Sequence, residues 1–273
     1  MNDPIDFSNI SLIVPIRIDT KERGENLQTL VNFYLQNCGN VNFVFVENDD
    51  NIKTLKNYII PDITDIYCYI GSCGAFNKCL TYNTGAKLSK TKYLCLIDAD
   101  VIVHPQQIIK AKNRIIENKM DLMIAYNGLA YYLSKEAKDK FKKENTYDYL
   151  ISILPEKHYI NYKTQNLLVG NNQAVGGCLI VERETFLKFK GFNPNFIGWG
   201  YEDNEIISRV QILGYNVGRI NGSNDVLWHL PHENNESKPK EQHFHYEKNH
   251  QIVSMVESST KEQLQEYIKT WEI

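Results

Sequence analysis

One stretch constrains the chain more than any other: Tyr93-Leu94-Cys95-Leu96-Ile97-Asp98-Ala99-Asp100-Val101-Ile102. An apolar run without charge reads as a strand buried on both faces. This one runs into two carboxylates. Asp98 and Asp100 are two apart, so on an extended chain they share a face. Acids at the end of a buried strand are costly unless a cation, hydrogen-bond donors or water compensate them. The carboxyl end of a strand is also where open α/β sheets receive ligands. The plain alternative is a solvated strand end leading into a helix cap, and so short a motif does not exclude it.

The 273 residues can bury one large α/β domain or two intimate lobes. A net charge of -3 argues against nucleic acid as partner, because such proteins show a basic excess. No apolar stretch approaches the roughly 20 residues of a membrane span. The opening Met1-Asn2-Asp3-Pro4-Ile5-Asp6 has neither the basic nor the apolar region of a secretory signal. The six cysteines show no zinc-type pair spacing and read as reduced structural thiols. A cytoplasmic chain is the expectation.

Residues 10–18 read as a first strand, interrupted near its end by Pro15, with Arg17 and Asp19 at its mouth. A helix over 21–37 follows, with Leu27, Leu30, Val31, Tyr34 and Leu35 on one face. The second strand, 41–46, closes on Glu47-Asn48-Asp49-Asp50. Strand, helix, strand begins a parallel, right-handed layer. Arg17, Asp19 and Glu47 should therefore gather on one edge. A third strand over 66–70 and a helix over 76–88 lead into the Asp98/Asp100 strand. Pro105 then suits the first turn of another helix. A strand over 120–126 precedes a stretch rich in Lys, Glu and Tyr. Its helix, 133–143, reads as solvated, with lysines of no functional role, and 161–172 reads as a mobile loop.

Residues 174–181 form an apolar run with Gly176-Gly177 inside it, which suggests close approach by a ligand or another backbone, or else a tight bend. A short helix over 184–190 ends at Gly191. Then comes Phe196-Ile197-Gly198-Trp199-Gly200-Tyr201-Glu202-Asp203-Asn204-Glu205. Acids in a first helical turn are accounted for by the exposed amides and the dipole. The flanking glycines and Trp199 are not. His229 closes the apolar run 226–229, with His232 three residues on. His243 and His245 should face solvent in a charged tail. Ser259-x-x-Glu262 reads as a capping box, and Leu264, Tyr267, Ile268 and Trp271 should dock the last helix.

Together these features resemble a metal-dependent glycosyltransferase of GT-A fold, specifically the β-1,4-galactosyltransferase family and the related bacterial galactosyl- and N-acetylgalactosaminyltransferases. Five segments carry the resemblance, in order from Leu12 to His229. They are Val14-Pro15-Ile16-Arg17, Phe76-Asn77-Lys78 with Asn83-x-Gly85, Asp98-Ala99-Asp100, Gly176-Gly177, and 196–206. The last is similar to the family's Trp-Gly-Trp-Gly-x-Glu-Asp-Asp, with Ile197 and Asn204 as departures. Lys78 stands where the family has Arg. The implied fold is a Rossmann-like nucleotide-binding sheet over 8–120, a fused acceptor-binding half over 121–232, and a C-terminal helical tail over 233–273.

The resemblance implies an inverting transfer from a UDP-sugar. Asp100 and His229 would bind a divalent cation, with Asp98 assisting through the ribose or a metal-bound water. An Asp and His set suits Mn²⁺ better than Mg²⁺. Asp203 would be the general base, and Glu202 would bind sugar hydroxyls. Pro15, Arg17, Asp19 and Glu47 form the implied uridine side. Asn77, Lys78 and Gly177 complete the donor site, and Trp199 stacks on a sugar. Ala174, or Val175 if the alignment shifts by one, stands where galactose-specific members carry a bulky Tyr. UDP-N-acetylgalactosamine therefore joins UDP-galactose as an expected donor. The expected acceptor is a glycan, in surface polysaccharide assembly at the inner face of a membrane. Two other classes are weighed against this: a non-catalytic sugar- or nucleotide-binding module, and an Asp-x-Asp phosphohydrolase. The latter normally carries its motif on the first strand.

Overall fold

The computed structural model describes residues 4–54, 58, 66–72, 74–118, 120–154, 159–162, 167–168, 171–172, 174–232 and 245–272. Cys73 and His243 lie outside them. The first strand of the main sheet, β1 (Ile10–Ile16), is buried along its whole length. It pairs with one neighbour over Ile10–Ile13 but with the other as far as Ile16. Pro15 thus falls where pairing on one side has already ended, and its missing N–H leaves that ladder intact. Thr20 caps α1 (Lys21–Asn37), its hydroxyl accepting from the Arg23 amide at 3.3 Å. Then come β2 (Asn42–Asp49), β3 (Ile66–Gly71), α2 (Lys78–Leu88) and β4 (Tyr93–Ile97). The second strand is longer than the sequence suggests, because Glu47, Asn48 and Asp49 continue it as buried polar residues.

The chain leaves the main sheet after β4. Asp98-Ala99-Asp100 is a turn, closed by the Val101 amide donating to the Asp98 carbonyl at 3.2 Å. Beyond it β5 (Val101–Ile102) enters a second sheet. The expectation of one extended strand with both acids on a shared face is therefore corrected. Further on are α3 (Pro105–Asn118), β6 (Leu122–Ile124), β7 (Ala130–Leu133), α4 (Lys135–Glu144), α5 (Tyr147–Ser152) and β8 (Tyr159–Tyr162). The polar stretch expected as a loop contains part of β8 and the paired strands Leu167–Leu168 and Asn171–Asn172. Its other residues are outside those described. The chain continues through β9 (Cys178–Glu182), α6 (Arg183–Lys188), α7 (Glu202–Ile212), β10 (Val217–Arg219), β11 (Leu227–His229), α8 (Tyr246–Glu257) and α9 (Lys261–Lys269).

Seven strands make the main sheet in the order β10-β6-β9-β4-β1-β2-β3. All are parallel except β9, which runs antiparallel to both neighbours. The glycine pair sits just before β9, not inside it. The smaller sheet has the order β8-β7-β11-β5. This is the mixed α/β architecture expected, with the second half's strands β6, β9 and β10 completing the first half's sheet. The last helix docks through Leu264, Ile268 and Trp271, all buried. Its capping box is Thr260 with Gln263, one residue later than expected, because Ser259 bonds back to the Met255 carbonyl. No helix among the described residues is long and apolar enough to cross a membrane.

Candidate active site

The two acids of the turn face different partners. Asp98 accepts from Lys78 Nζ at 3.1 Å and from the Tyr82 hydroxyl at 2.7 Å. Its amide donates to the Gly177 carbonyl at 3.1 Å, which ties the turn to the glycine pair. Asp100 lies 3.6 Å from His229 Nε2 and 2.9 Å from His232 Nε2. Asp100, His229 and His232 bring three ligand atoms within 4.8 Å of one another. Two imidazoles and a carboxylate are a donor set for a divalent transition metal. His232 completes the cluster, and Asp98, expected among the ligands, points away to Lys78. Burial favours neutral Asp100, but His229, His232 and Arg23 outweigh it and hold the carboxyl well below its usual range. The His229 ring stacks on Tyr132, with centroids 4.3 Å apart.

The second cluster forms around Lys78, in the first turn of α2. Its ammonium bonds Asp98, Glu202 Oε1 at 3.5 Å, and Asp203 Oδ2 at 3.1 Å. These three acids raise its affinity for a proton well above the ordinary lysine range, against the effect of burial. Asp203 is shifted the other way from most acids. Burial pushes it up, Lys78 opposes, and Glu202 and Asp98 add repulsion, so it titrates at about 7. Glu202 Oε2 accepts from the Gly200 amide at 3.0 Å, which curls the Gly198-Trp199-Gly200 loop against the helix start. Gly198 and Gly200 both have positive φ, a backbone that side chains resist. Trp199 is 42% exposed and stacks on Tyr246 of α8, with centroids 6.1 Å apart. Asn249 of the same helix donates to the Ile197 carbonyl at 3.1 Å. His245, expected in solvent, is half-buried beside Gly198.

Other expected residues act through the backbone. Glu47 is fully buried and accepts from the Lys53 and Thr54 amides and the Tyr67 hydroxyl, so its carboxylate anchors the loop after β2 instead of facing a ligand. Asn77 caps α2 by accepting from the Leu80 amide at 2.8 Å. Asn83 clips both the amide and the carbonyl of Phe192 at 2.8 Å. A Cβ on Gly85 would lie 2.3 Å from Ile13, so glycine there lets α2 cross β1 closely. Pro15 is interior to β1. Arg17 donates to the Gly74 carbonyl at 2.8 Å, and Asp19 pairs with Arg23 at 3.0 Å, the same guanidinium lying 3.8 Å from Asp100. Sequence reasoning misses Tyr82; it notes His232 through the His-x-x-His spacing but leaves open whether that residue joins the ligand set.

Residues 158–233 match a family model described as the N-terminal domain of galactosyltransferase. That segment holds Gly176, Gly177, Glu202, Asp203, His229 and His232. The β-1,4-galactosyltransferase 7 of Drosophila melanogaster is 34% identical over 80 residues, 28% of this chain and 21% of that protein. Human β-1,4-galactosyltransferase 5 is 39% identical over 65 residues, 24% of this chain and 17% of its own. The matches thus span about a fifth of these relatives' length. Among solved structures, the catalytic domain of Drosophila β1,4-galactosyltransferase 7 in complex with xylobiose aligns over 94% of this chain and 82% of that one, at 16% identity and a TM-score of 0.48.

Proposed function

For a chain similar to the β-1,4-galactosyltransferases, we propose a divalent-metal-dependent, inverting glycosyltransferase that moves galactose or N-acetylgalactosamine from a UDP donor to a glycan hydroxyl. One observation carries this reading. The Asp98-Ala99-Asp100 turn offers one acid to the histidine cluster and the other to the lysine that holds Glu202 and Asp203. A cation cradle and a candidate base therefore stand at the two ends of one short turn.

The acceptor hydroxyl attacks the anomeric carbon while its proton passes to the Asp203 carboxylate, a general-base contribution of about 10²–10⁴-fold. The new carbon–oxygen bond forms as the bond to the diphosphate breaks, and the departing UDP keeps the electron pair. A single displacement inverts the anomeric centre. A divalent ion, Mn²⁺ by the donor chemistry, would be held by Asp100, His229 and His232 and would supply Lewis-acid neutralisation of the leaving diphosphate. Glu202 binds sugar hydroxyls, and the exposed Trp199 ring stacks on a sugar face. Arg17 and Asp19 take the uridine side. The names of the relatives support galactose. The small Ala174 supports space for an N-acetyl group.

The test is UDP release from a panel of UDP-sugars, with and without Mn²⁺, for wild type and Asp203→Asn. Metal-dependent turnover that vanishes in the variant, with nucleotide binding kept, is the expected result. Absence of both UDP-sugar binding and metal dependence would sink the reading.

A further inference from the structure

Two side chains outside the ligand set converge on the backbone between the two histidines. Asn26, fully buried on α1, donates Nδ2 to the Leu230 carbonyl at 3.2 Å and to the Pro231 carbonyl at 3.3 Å. Lys138, on α4, donates Nζ to the same Pro231 carbonyl at 3.3 Å. A third tie runs from the Leu230 amide to the Asp100 carbonyl at 2.8 Å.

Lys138 is the unexpected member. The helix Lys135–Glu144 is rich in lysine, yet this residue is only 3% exposed. Burying an ammonium group is costly, and its hydrogen bond goes to a carbonyl instead of a carboxylate. His229 is the last residue of β11, and His232 lies beyond any regular element. The spacing of the two rings is therefore set by Leu230 and Pro231, whose carbonyls have left the β-ladder and need other donors. Helices from two different parts of the chain supply them.

We infer that Asn26 and Lys138 are positioning residues of the metal centre, clamping the Leu230-Pro231 link so that His229 and His232 converge on Asp100. This rests on the metal reading of that cluster. Partners that orient ligands at one remove are typically worth about 10–100-fold in metal affinity.

The experiment is calorimetric titration of the full chain with Mn²⁺ alone, for wild type, Lys138→Met, Lys138→Arg and Asn26→Ala. Thermal melts of the metal-free proteins and pulsed EPR of bound Mn²⁺ accompany it. Lys138→Met keeps the buried stem and removes only the ammonium. It is expected to weaken Mn²⁺ binding about 10–100-fold, with an unshifted metal-free melt and fewer imidazole nitrogens on the ion. Lys138→Arg, which restores a donor, should recover part of the affinity. If Asn26→Ala does not fold, the two Lys138 variants decide the matter. Equal affinity and equal nitrogen coupling in wild type and Lys138→Met overturn the clamp while leaving the metal reading intact. A wild type that binds no Mn²⁺ overturns both.

Discussion

Asp203 occupies the space that any side chain at position 176 would take. A Cβ built on Gly176 would lie 1.9 Å from Asp203 Oδ2. Gly176→Ala should therefore displace the carboxylate and leave the sheet untouched. Misplacing a reacting group by about 1 Å can cost about 10²-fold in rate. A fall of that order in kcat, with circular dichroism unchanged, is the expected outcome. The proposed base role of the same carboxylate gives a pH dependence. It is neutral below about 7 and charged above, and a base must be charged to accept a proton. Turnover should rise through that pH in wild type, and Asp203→Asn should lose the limb together with the activity. Stability moves in the opposite sense. A folded-state pKa above the unfolded value gives a contribution that is complete below about 4 and is lost as pH rises through about 7. Melts of wild type and Asp203→Asn between those limits measure it, since the variant has no such loss.

At the scale of elements, α7 is fastened by a buried ion pair. Arg209 Nε lies 2.7 Å from Glu205 Oε1, with both side chains fully buried. The guanidinium also donates to the Phe189 and Gly191 carbonyls and lies under the Trp271 ring. Glu205→Ala leaves a buried charge unpaired and should destabilise the chain by about 3–5 kcal/mol, read as a shift in denaturant midpoint. Amphipathic and capped elements were legible in the sequence. The helix over 21–37 is legible from its apolar face, and the acidic start of α7 announces itself. What stayed hidden depends on neighbours far along the chain. The turn at Asp98-Ala99-Asp100 looks like a continuing strand because Val101 and Ile102 are as apolar as Leu96, and only pairing with β11 takes them to another sheet. The reversed direction of β9 leaves no mark on its own residues. Glu47 looks like a ligand because a buried carboxylate and an active carboxylate share one letter, and the Thr54 and Tyr67 donors come from elsewhere. Lys138 looks solvated because its helix mostly is.

At the scale of the molecule, the candidate metal cluster belongs to a fold whose core is apolar and continuous. Chelation should abolish turnover and leave the far-ultraviolet spectrum unaltered, and added Mn²⁺ should restore activity. Mn²⁺ at about 100 times its dissociation constant should stabilise the chain by about 2.7 kcal/mol, visible as a raised melting temperature. Asp98 stands at the end of the seven-stranded sheet and Asp100 at the start of the four-stranded one, with Ala99 alone between them. Two residues of extended chain span at most about 7 Å. The histidine-facing acid and the lysine-facing acid are thus leashed to each other by covalent bonds, whereas Asp203 keeps its place beside them through the Lys78 ammonium. The two clusters are therefore neighbours by chain connectivity: lengthening or shortening this one turn would change the spacing of the acids without touching either sheet's ladder.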